Sequence, residues 1–243
     1  MRVFGVFAKF WEAGRVKTRL ARKIGEERAA RLYREFLTMS HRLGNQVTAE
    51  RVVGFTPEER HQEFQDLFED WKVVPQSDKD LGGRMSDFFR DFLIQTNEKK
   101  VSNEGGAGAA TAPSSSDINH VVLIGSDTPS LPVSRINEAF EKLDTVDVVL
   151  GPSLDGGYYL IGCRTHLPEL FVGVEWSSEK VMQQTRDRLL ELGVPYCELE
   201  SFTDIDEFED LLDLKSSFER RVDDLNRDEL HLLESINEAI AGA

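Results

Sequence analysis

Three short segments of the sequence combine residue types that could bind a phosphorylated ligand. The first is Gly14–Leu20 (GRVKTRL), where a glycine stands beside three cations directly after an apolar run. Gly14 lets the backbone approach a ligand closely, while Lys17 and Arg19 could neutralise phosphate charge. The GxxxxGK[ST] spacing of a Walker A loop is absent. A basic turn exposed to solvent fits the same residues, so the segment alone leaves both interpretations open.

The charge of the whole chain gives this basic segment more weight. The 243 residues include 29 basic and 44 acidic side chains, for a net charge of −15. Such an acidic balance argues against a general nucleic-acid-binding protein and against docking on anionic membranes. Five cations between Arg15 and Lys23 therefore invert the local sign, which favours an anionic ligand.

The second segment, Gly125–Leu131 (GSDTPSL), places Asp127 just after the most apolar run of the chain. A carboxylate at the end of a buried strand is costly unless it is solvated, hydrogen-bonded or bound to a cation. Mg²⁺ and Mn²⁺ take few carboxylates together with phosphate oxygens and water. Asp127 is therefore a candidate metal ligand, although an aspartate that caps the following turn is the alternative.

The third segment is Asp155-Gly156-Gly157, which follows another apolar run. Asp-Gly-Gly is typical of a tight hairpin turn. It could equally place the Asp155 carboxylate beside a ligand, with the two glycines as a backbone wall. The segment alone does not separate these two interpretations.

Apolar runs of strand length alternate with longer amphipathic stretches along the chain. The predicted strands are 3–8, 51–55, 71–75, 120–125, 147–150, 158–162 and 196–199; the predicted helices are 26–43, 57–69, 85–94, 132–143, 177–192, 205–214 and 226–240. This alternation predicts an α/β domain with a mostly parallel central sheet and helices on both faces. Because ligands bind beyond the carboxyl ends of such strands, the three segments are expected to share one edge.

Residues 97–117 break the alternation, since they are rich in Gly, Ala and Ser and lack periodicity. We predict a flexible insertion within one domain, 1–216, followed by a helical extension, 217–243. The extension has an apolar stripe that could pack on its own domain or on another subunit, which leaves a homodimer open: Leu230, Leu233, Ile236 and Ile240. Two cysteines and no apolar run of about 20 residues predict a cytoplasmic protein that does not span a membrane.

Seven stretches in order make the sequence similar to the DUF2064 family of bacterial, radical-SAM-associated glycosyltransferase-like proteins. They are FAK (7–9), GRVKTRLA (14–21), QSDKDLGGRM (76–85), GSDTPSLP (125–132), VLGPSLDGGYYLIG (149–162), WSSEKVMQQT (176–185) and DIDEFEDL (204–211). The resemblance implies the GT-A nucleotide-diphospho-sugar transferase fold, a Rossmann-like fold shared with the molybdopterin-guanine dinucleotide and phospholactate guanylyltransferases. Phe10–Ala13 departs from the family, which usually has prolines there.

The resemblance also implies roles for individual residues. The nucleotide phosphates would lie on Gly14, Lys17, Arg19 and Arg84; the metal, Mg²⁺ or Mn²⁺, on Asp127; and the acceptor on Asp155, Gly156, Gly157 and Trp176. Asp155 and Lys17 would act in catalysis, and Asp204 or Asp206 could add a second metal ligand. Structural alternatives stay open for three of these sites: a helix-surface arginine at Arg84, packing at Trp176, and a solvated charge run at 204–206.

The resulting prediction is a metal-dependent transferase that uses a nucleotide-activated donor and a small-molecule acceptor. Glycosyl transfer from a nucleotide sugar is the first choice. Nucleotidyl transfer to a small phosphorylated acceptor is an alternative, because both reactions need cations that stabilise a leaving diphosphate. A non-catalytic module that binds a nucleotide or a partner is the third possibility.

Overall fold

One central sheet organises the part of the chain that the computed structural model describes, residues 1–101 and 120–241, without the side chains of 94–101. Its seven strands have the order β3-β2-β1-β4-β6-β5-β7. They are β1 (Arg2–Lys9), β2 (Glu50–Thr56), β3 (Lys72–Pro75), β4 (His120–Ile124), β5 (Val148–Pro152), β6 (Tyr158–Cys163) and β7 (Tyr196–Glu198). Strand β6 runs antiparallel to both neighbours, β4 and β5, and the other pairs are parallel.

Eight α-helices surround this sheet in the described residues. They are α1 (Thr18–Ile24), α2 (Glu26–Gly44), α3 (His61–Leu67), α4 (Leu81–Val101), α5 (Val133–Lys142), α6 (Val181–Leu192), α7 (Phe208–Arg220) and α8 (Arg227–Ile240). Helix α2 illustrates why they form: its buried residues recur at helical spacing, and Glu26 and Glu27 in its first turn complement the helix dipole.

The two faces of the sheet bury separate apolar clusters. Alternate residues of β1 divide between them, with Phe4 and Val6 on one side and Val3 and Phe7 on the other. The first cluster includes side chains of α1, α2, α5, α7 and α8, and the second includes side chains of α4 and α6. Helices therefore cover both faces, and the predicted α/β architecture is confirmed.

Several element boundaries differ from those predicted. Helix α1 is absent from the prediction, and α4 extends beyond 85–94 in both directions, so it includes the first residues of the segment 97–117. The insertion predicted within that segment otherwise lies outside the described residues. Helix α6 begins at Val181 instead of Ser177, because Ser177 has a left-handed backbone with φ of 63°.

The C-terminal helix packs on its own chain. Helix α8 contacts α2 and α7, and it buries Leu232, Leu233, Ile236 and Ala239 in the first apolar cluster. Leu230, which was expected in the apolar stripe, is 39% exposed. Among the described residues, no helix combines the length and the apolar character needed to cross a bilayer.

If α8 belongs to the core, truncating its most buried side chain will destabilise the whole domain. We expect Ile236→Ala to lower the free energy of unfolding by about 2–5 kcal/mol, because Ile236 is fully buried. The matched control Leu230→Ala should cost below about 1 kcal/mol, since that side chain is partly solvated. Urea unfolding followed by circular dichroism measures both; equal effects would mean that α8 is not packed as described.

Candidate functional site

Lys17 and Asp127 meet at the carboxyl ends of β1 and β4. The two strands pair in parallel, with Val6 opposite Ile124, so the loops that follow them leave from the same edge of the sheet. The Nζ atom of Lys17 lies 2.6 Å from Oδ1 of Asp127. The expected convergence of these two side chains is therefore confirmed.

The ammonium group of Lys17 is buried and fully hydrogen-bonded. Its side chain is only 3% exposed, and Nζ donates to Oδ1 of Asp127, to Oδ1 of Asp206 at 2.9 Å and to the carbonyl of Ile205 at 2.6 Å. Since an ammonium group has three N–H donors, none is left over for a phosphate in this arrangement. A phosphate-binding role for Lys17 thus stays a prediction that requires it to exchange one of these partners.

Charge keeps Lys17 protonated in its buried position. Burial alone would lower the pKa of Lys17, but the carboxylates of Asp127 and Asp206 outweigh that effect and raise it above its ordinary value.

Lys17 has a left-handed backbone (φ 46°, ψ 43°) as the N-cap of α1. The peptide N–H of Ile205 also donates to the carbonyl of Asp127 at 2.9 Å. Three chain segments are thus joined at one point.

A buried tyrosine supports the loop that carries Asp127. The hydroxyl of Tyr33, on α2, accepts the peptide N–H of Lys9 at 3.1 Å and lies 2.7 Å from Oγ of Ser126. Burial, and then the charge of Asp127, raise the pKa of Tyr33 to about 12. The neutral hydroxyl therefore links α2, the end of β1 and the residue next to Asp127. On the other side of Asp127, the buried Oγ1 of Thr128 has no hydrogen-bond partner among the described residues.

Further carboxylates gather around the Lys17 contact. Burial raises the pKa of Asp204; the hydrogen bond from Oγ of Ser153, at 2.6 Å, opposes this, and the charges of Asp155 and Asp206 add to it. Asp204 and Asp206 flank the buried Ile205, so the alternation Asp-Ile-Asp turns both carboxylates away from the core. That alternation is the signal that could have distinguished this segment from a solvated charge run.

Asp127 and Asp206 are too few to hold a metal ion alone, so a cation here would have to share its ligands with a substrate. No group of three or more His, Cys, Asp or Glu side chains in residues 1–101 and 120–241 is close enough to hold a metal alone. Asp127 and Asp206 are 43% and 38% exposed at the side chain, and Lys17 contacts only Oδ1 of each. Mg²⁺ commonly binds one or two carboxylates and completes its shell with phosphate oxygens and water.

The segment Asp155-Gly156-Gly157 forms the hairpin turn between β5 and β6. The Oδ1 atom of Asp155 accepts the N–H of Gly157 at 2.9 Å, which fixes the turn. Gly156 has φ of 90°, and a Cβ atom there would clash with the backbone of Glu179. The tight-turn interpretation is therefore correct for the backbone, while Asp155 itself stays exposed near Asp204.

Gly14 and Arg19, which were also predicted to bind phosphate, lie at the same edge of the sheet and make no contact with Lys17 among the described residues. Gly14 has φ of 78° and faces the carboxylate of Glu26. Arg19 lies on α1 instead of in a loop, is 61% exposed and stands 3.9 Å from Glu207. The Arg19 guanidinium is therefore open to solvent, and among the described residues it makes no contact with Asp127.

Arg84 and Trp176 are held by neighbouring protein groups. Arg84, on α4, donates to the carbonyl of Lys79 at 2.7 Å and to Oε1 of Gln76 at 3.3 Å, beside a groove of about 630 Å³ between β3 and α4. The indole of Trp176 packs against Gly82, at the start of α4, within the second apolar cluster. Packing accounts for the position of Trp176, and its acceptor-binding role stays a prediction.

A family profile and several solved structures resemble this chain. The profile of the family described as "Uncharacterized protein conserved in bacteria (DUF2064)" matches residues 38–178, more than half of the chain. No curated protein matches this chain. A candidate nucleotide-diphospho-sugar transferase from Desulfovibrio desulfuricans G20 is similar at 26% identity and a TM-score of 0.79, covering 99% of this chain and 96% of that one.

Two more distant structures share the fold. A cytidylyltransferase from Leptospira borgpetersenii has 15% identity and a TM-score of 0.54, covering 99% of this chain and 95% of its own. A nucleotidyl transferase from Methanothermobacter has 18% identity and a TM-score of 0.51, covering 90% and 98%. At these identities the likeness is one of fold alone.

Removing the Lys17 ammonium will destabilise the protein in a pH-dependent way. We expect Lys17→Met to cost about 1–3 kcal/mol at pH 7, because the Ile205 carbonyl loses its donor while Asp127 and Asp206 regain water. The folded pKa of Lys17 is raised above 10.5, so its stabilisation is complete below pH 10.5 and is lost as the pH rises through the folded value. Chemical unfolding at pH 7 and above pH 10.5 measures the difference, which should shrink; a constant difference would contradict the ion pairing.

Neutralising Asp204 should have the opposite effect. The folded pKa of Asp204 is raised above 3.8, so its ionisation opposes folding at neutral pH and this cost disappears as the pH falls below 3.8. Asp204→Asn keeps an oxygen that accepts from Ser153, and we expect a higher melting temperature at pH 7 with no gain below pH 3.8. Asp223→Asn, at an exposed position, is the control. A loss of stability at pH 7 would contradict the described crowding of carboxylates.

Proposed function

Since the chain belongs to the bacterial DUF2064 family, we propose that it is an enzyme, a transferase that uses a nucleotide-activated donor, and that the donor is a nucleotide sugar. The observation that carries this proposal is the meeting of Lys17, Asp127 and Asp206 at the carboxyl edge of the sheet. Similarity along nearly the whole chain to a candidate nucleotide-diphospho-sugar transferase supports it.

Asp127 and Asp206 would hold Mg²⁺ or Mn²⁺ together with phosphate oxygens of the donor. The ion would neutralise the charge that develops on the leaving diphosphate. Lys17 contacts both carboxylates through its ammonium group, so they are positioned before a ligand arrives. Such preorganisation is what makes electrostatic stabilisation effective in an active site.

Asp155 is the group that we assign to the acceptor. Its Oδ1 is occupied by the N–H of Gly157, and its exposed side chain leaves the second oxygen open. A carboxylate in that position could accept the proton of an acceptor hydroxyl as transfer proceeds.

Nucleotidyl transfer is the second candidate, because the same carboxylates and ammonium group would serve it. Two product assays separate the reactions. Release of a nucleoside diphosphate from a nucleotide sugar indicates glycosyl transfer, whereas pyrophosphate release from a nucleoside triphosphate indicates nucleotidyl transfer. Nucleotide binding with neither product, across both donor panels, would favour a binding module without catalysis.

The metal-dependent part of the proposal is tested with Asp127→Asn. We expect the wild-type protein to bind nucleotides in calorimetry more tightly with Mg²⁺, and Asp127→Asn to lose that dependence. Asp223→Asn, at an exposed turn before α8, is the matched control and should keep it. Circular dichroism establishes that both variants are folded. An unchanged Mg²⁺ dependence in Asp127→Asn would contradict the proposed metal site.

A further inference from the structure

A cationic surface extends from the candidate site along α1 and α2. Residues 14–34 contain eight basic and two acidic side chains, whereas the rest of the chain contains 21 basic and 42 acidic ones. The sign of charge is thus reversed in this one segment. The reversal reaches well beyond Lys17 and Arg19, since four of the eight cations follow residue 22.

Three cations of this segment are exposed and have no ion-pair partner in the described part of the chain: Arg22, Lys23 and Arg31. Many other surface cations of this acidic protein are paired. Examples are Arg42 with Asp228 at 2.7 Å, Arg186 with Glu198 at 2.8 Å and Arg221 with Glu229 at 2.7 Å. No direct ion pair in the described residues therefore engages the charges of Arg22, Lys23 and Arg31.

Helix α1 connects two of these cations to the candidate site. Lys17 is the N-cap of α1, and Arg22 and Lys23 occupy the last turn of the same helix, roughly 8–9 Å along its axis. Helix α1 packs against α2, which carries Arg31. At an ionic strength of about 0.15 M charges act over about 8 Å, and at lower ionic strength they act further.

We propose that Arg22, Lys23 and Arg31 form an electrostatic guide that accelerates the association of an anionic nucleotide with the site. This inference rests on the proposed function. A chain with a net charge of −15 repels a nucleoside di- or triphosphate, so encounter depends on a local field of the opposite sign. The guide acts on the rate of association and makes no contact with the bound ligand.

Reversing the three charges tests the guide. Association of N-methylanthraniloyl-labelled nucleoside triphosphates of the four common bases is followed by stopped-flow fluorescence with the full chain. For the triple variant Arg22→Glu, Lys23→Glu, Arg31→Glu, we expect an association rate constant about tenfold lower at an ionic strength of about 0.02 M. The dissociation rate constant should stay unchanged, and the difference should fall within about twofold at about 0.5 M, where charges are screened.

The matched control reverses three exposed cations at the ends of α5 and α7 and the start of α8: Lys142→Glu, Arg220→Glu and Arg227→Glu. It has the same net charge as the triple variant, and we expect a smaller fall in the association rate. A second variant, Arg22→Gln, Lys23→Gln, Arg31→Gln, removes the three charges without reversing them, and we expect it to give an intermediate association rate.

Two results would overturn the inference. Equal association rates for the wild type and the triple variant contradict the guide and leave the proposed function standing, because the nucleotide still binds. Equal slowing by the control variant also contradicts it, because net charge would then be sufficient. If none of the labelled nucleotides binds to the wild type, the guide is contradicted, whereas the proposed function is judged separately by the product assays with nucleotide sugars.

Discussion

The site depends on one buried ammonium group with three acceptors. Withdrawing the charge of Lys17 from water is costly unless carboxylates compensate it, and Asp127 and Asp206 provide that compensation. The arrangement is asymmetric, since the ammonium is 3% exposed while the carboxylates are 43% and 38% exposed. The carboxylates therefore keep part of their hydration and stay accessible to a further cation.

The topology explains why this contact forms. Strands β1 and β4 are parallel neighbours, so their following loops share one edge, and the segment before α7 joins them through the Ile205 peptide. Tyr33 anchors the Asp127 loop from behind through Ser126. Each tie connects segments far apart in the sequence, so the site forms only when the domain folds around its first apolar cluster.

Much of the fold could be predicted from the sequence because apolar runs mark buried strands clearly. The direction of β6 could not be predicted in this way, since an apolar run does not encode whether its neighbour is parallel. Helix α1 escaped prediction because it has seven residues and its N-cap is a lysine, which offers no capping side chain. The sequence predicted that Lys17 and Asp127 share one site, because each follows an apolar run and each carries a charge suited to a phosphorylated ligand or its metal.

The partners of Lys17 were harder to predict. Asp206 lies within an acidic run, and residue type alone cannot show which of several carboxylates faces the ammonium group.

Trp176 resembles a substrate-binding aromatic in sequence, yet its indole packs against Gly82. Asp155 closes the hairpin turn with one oxygen and stays exposed near Asp204, and its role beside a ligand stays a prediction.

The measurement that tests the central claim most directly is ¹⁵N–¹H NMR of the lysine ammonium groups. A buried ammonium with three acceptors exchanges its protons slowly with water, whereas solvated lysines exchange too fast to be observed at neutral pH. The structure predicts one protected ammonium signal that disappears when Lys17 is replaced by arginine. A spectrum without a protected signal that can be assigned to Lys17 would contradict the three-way contact on which the site is built.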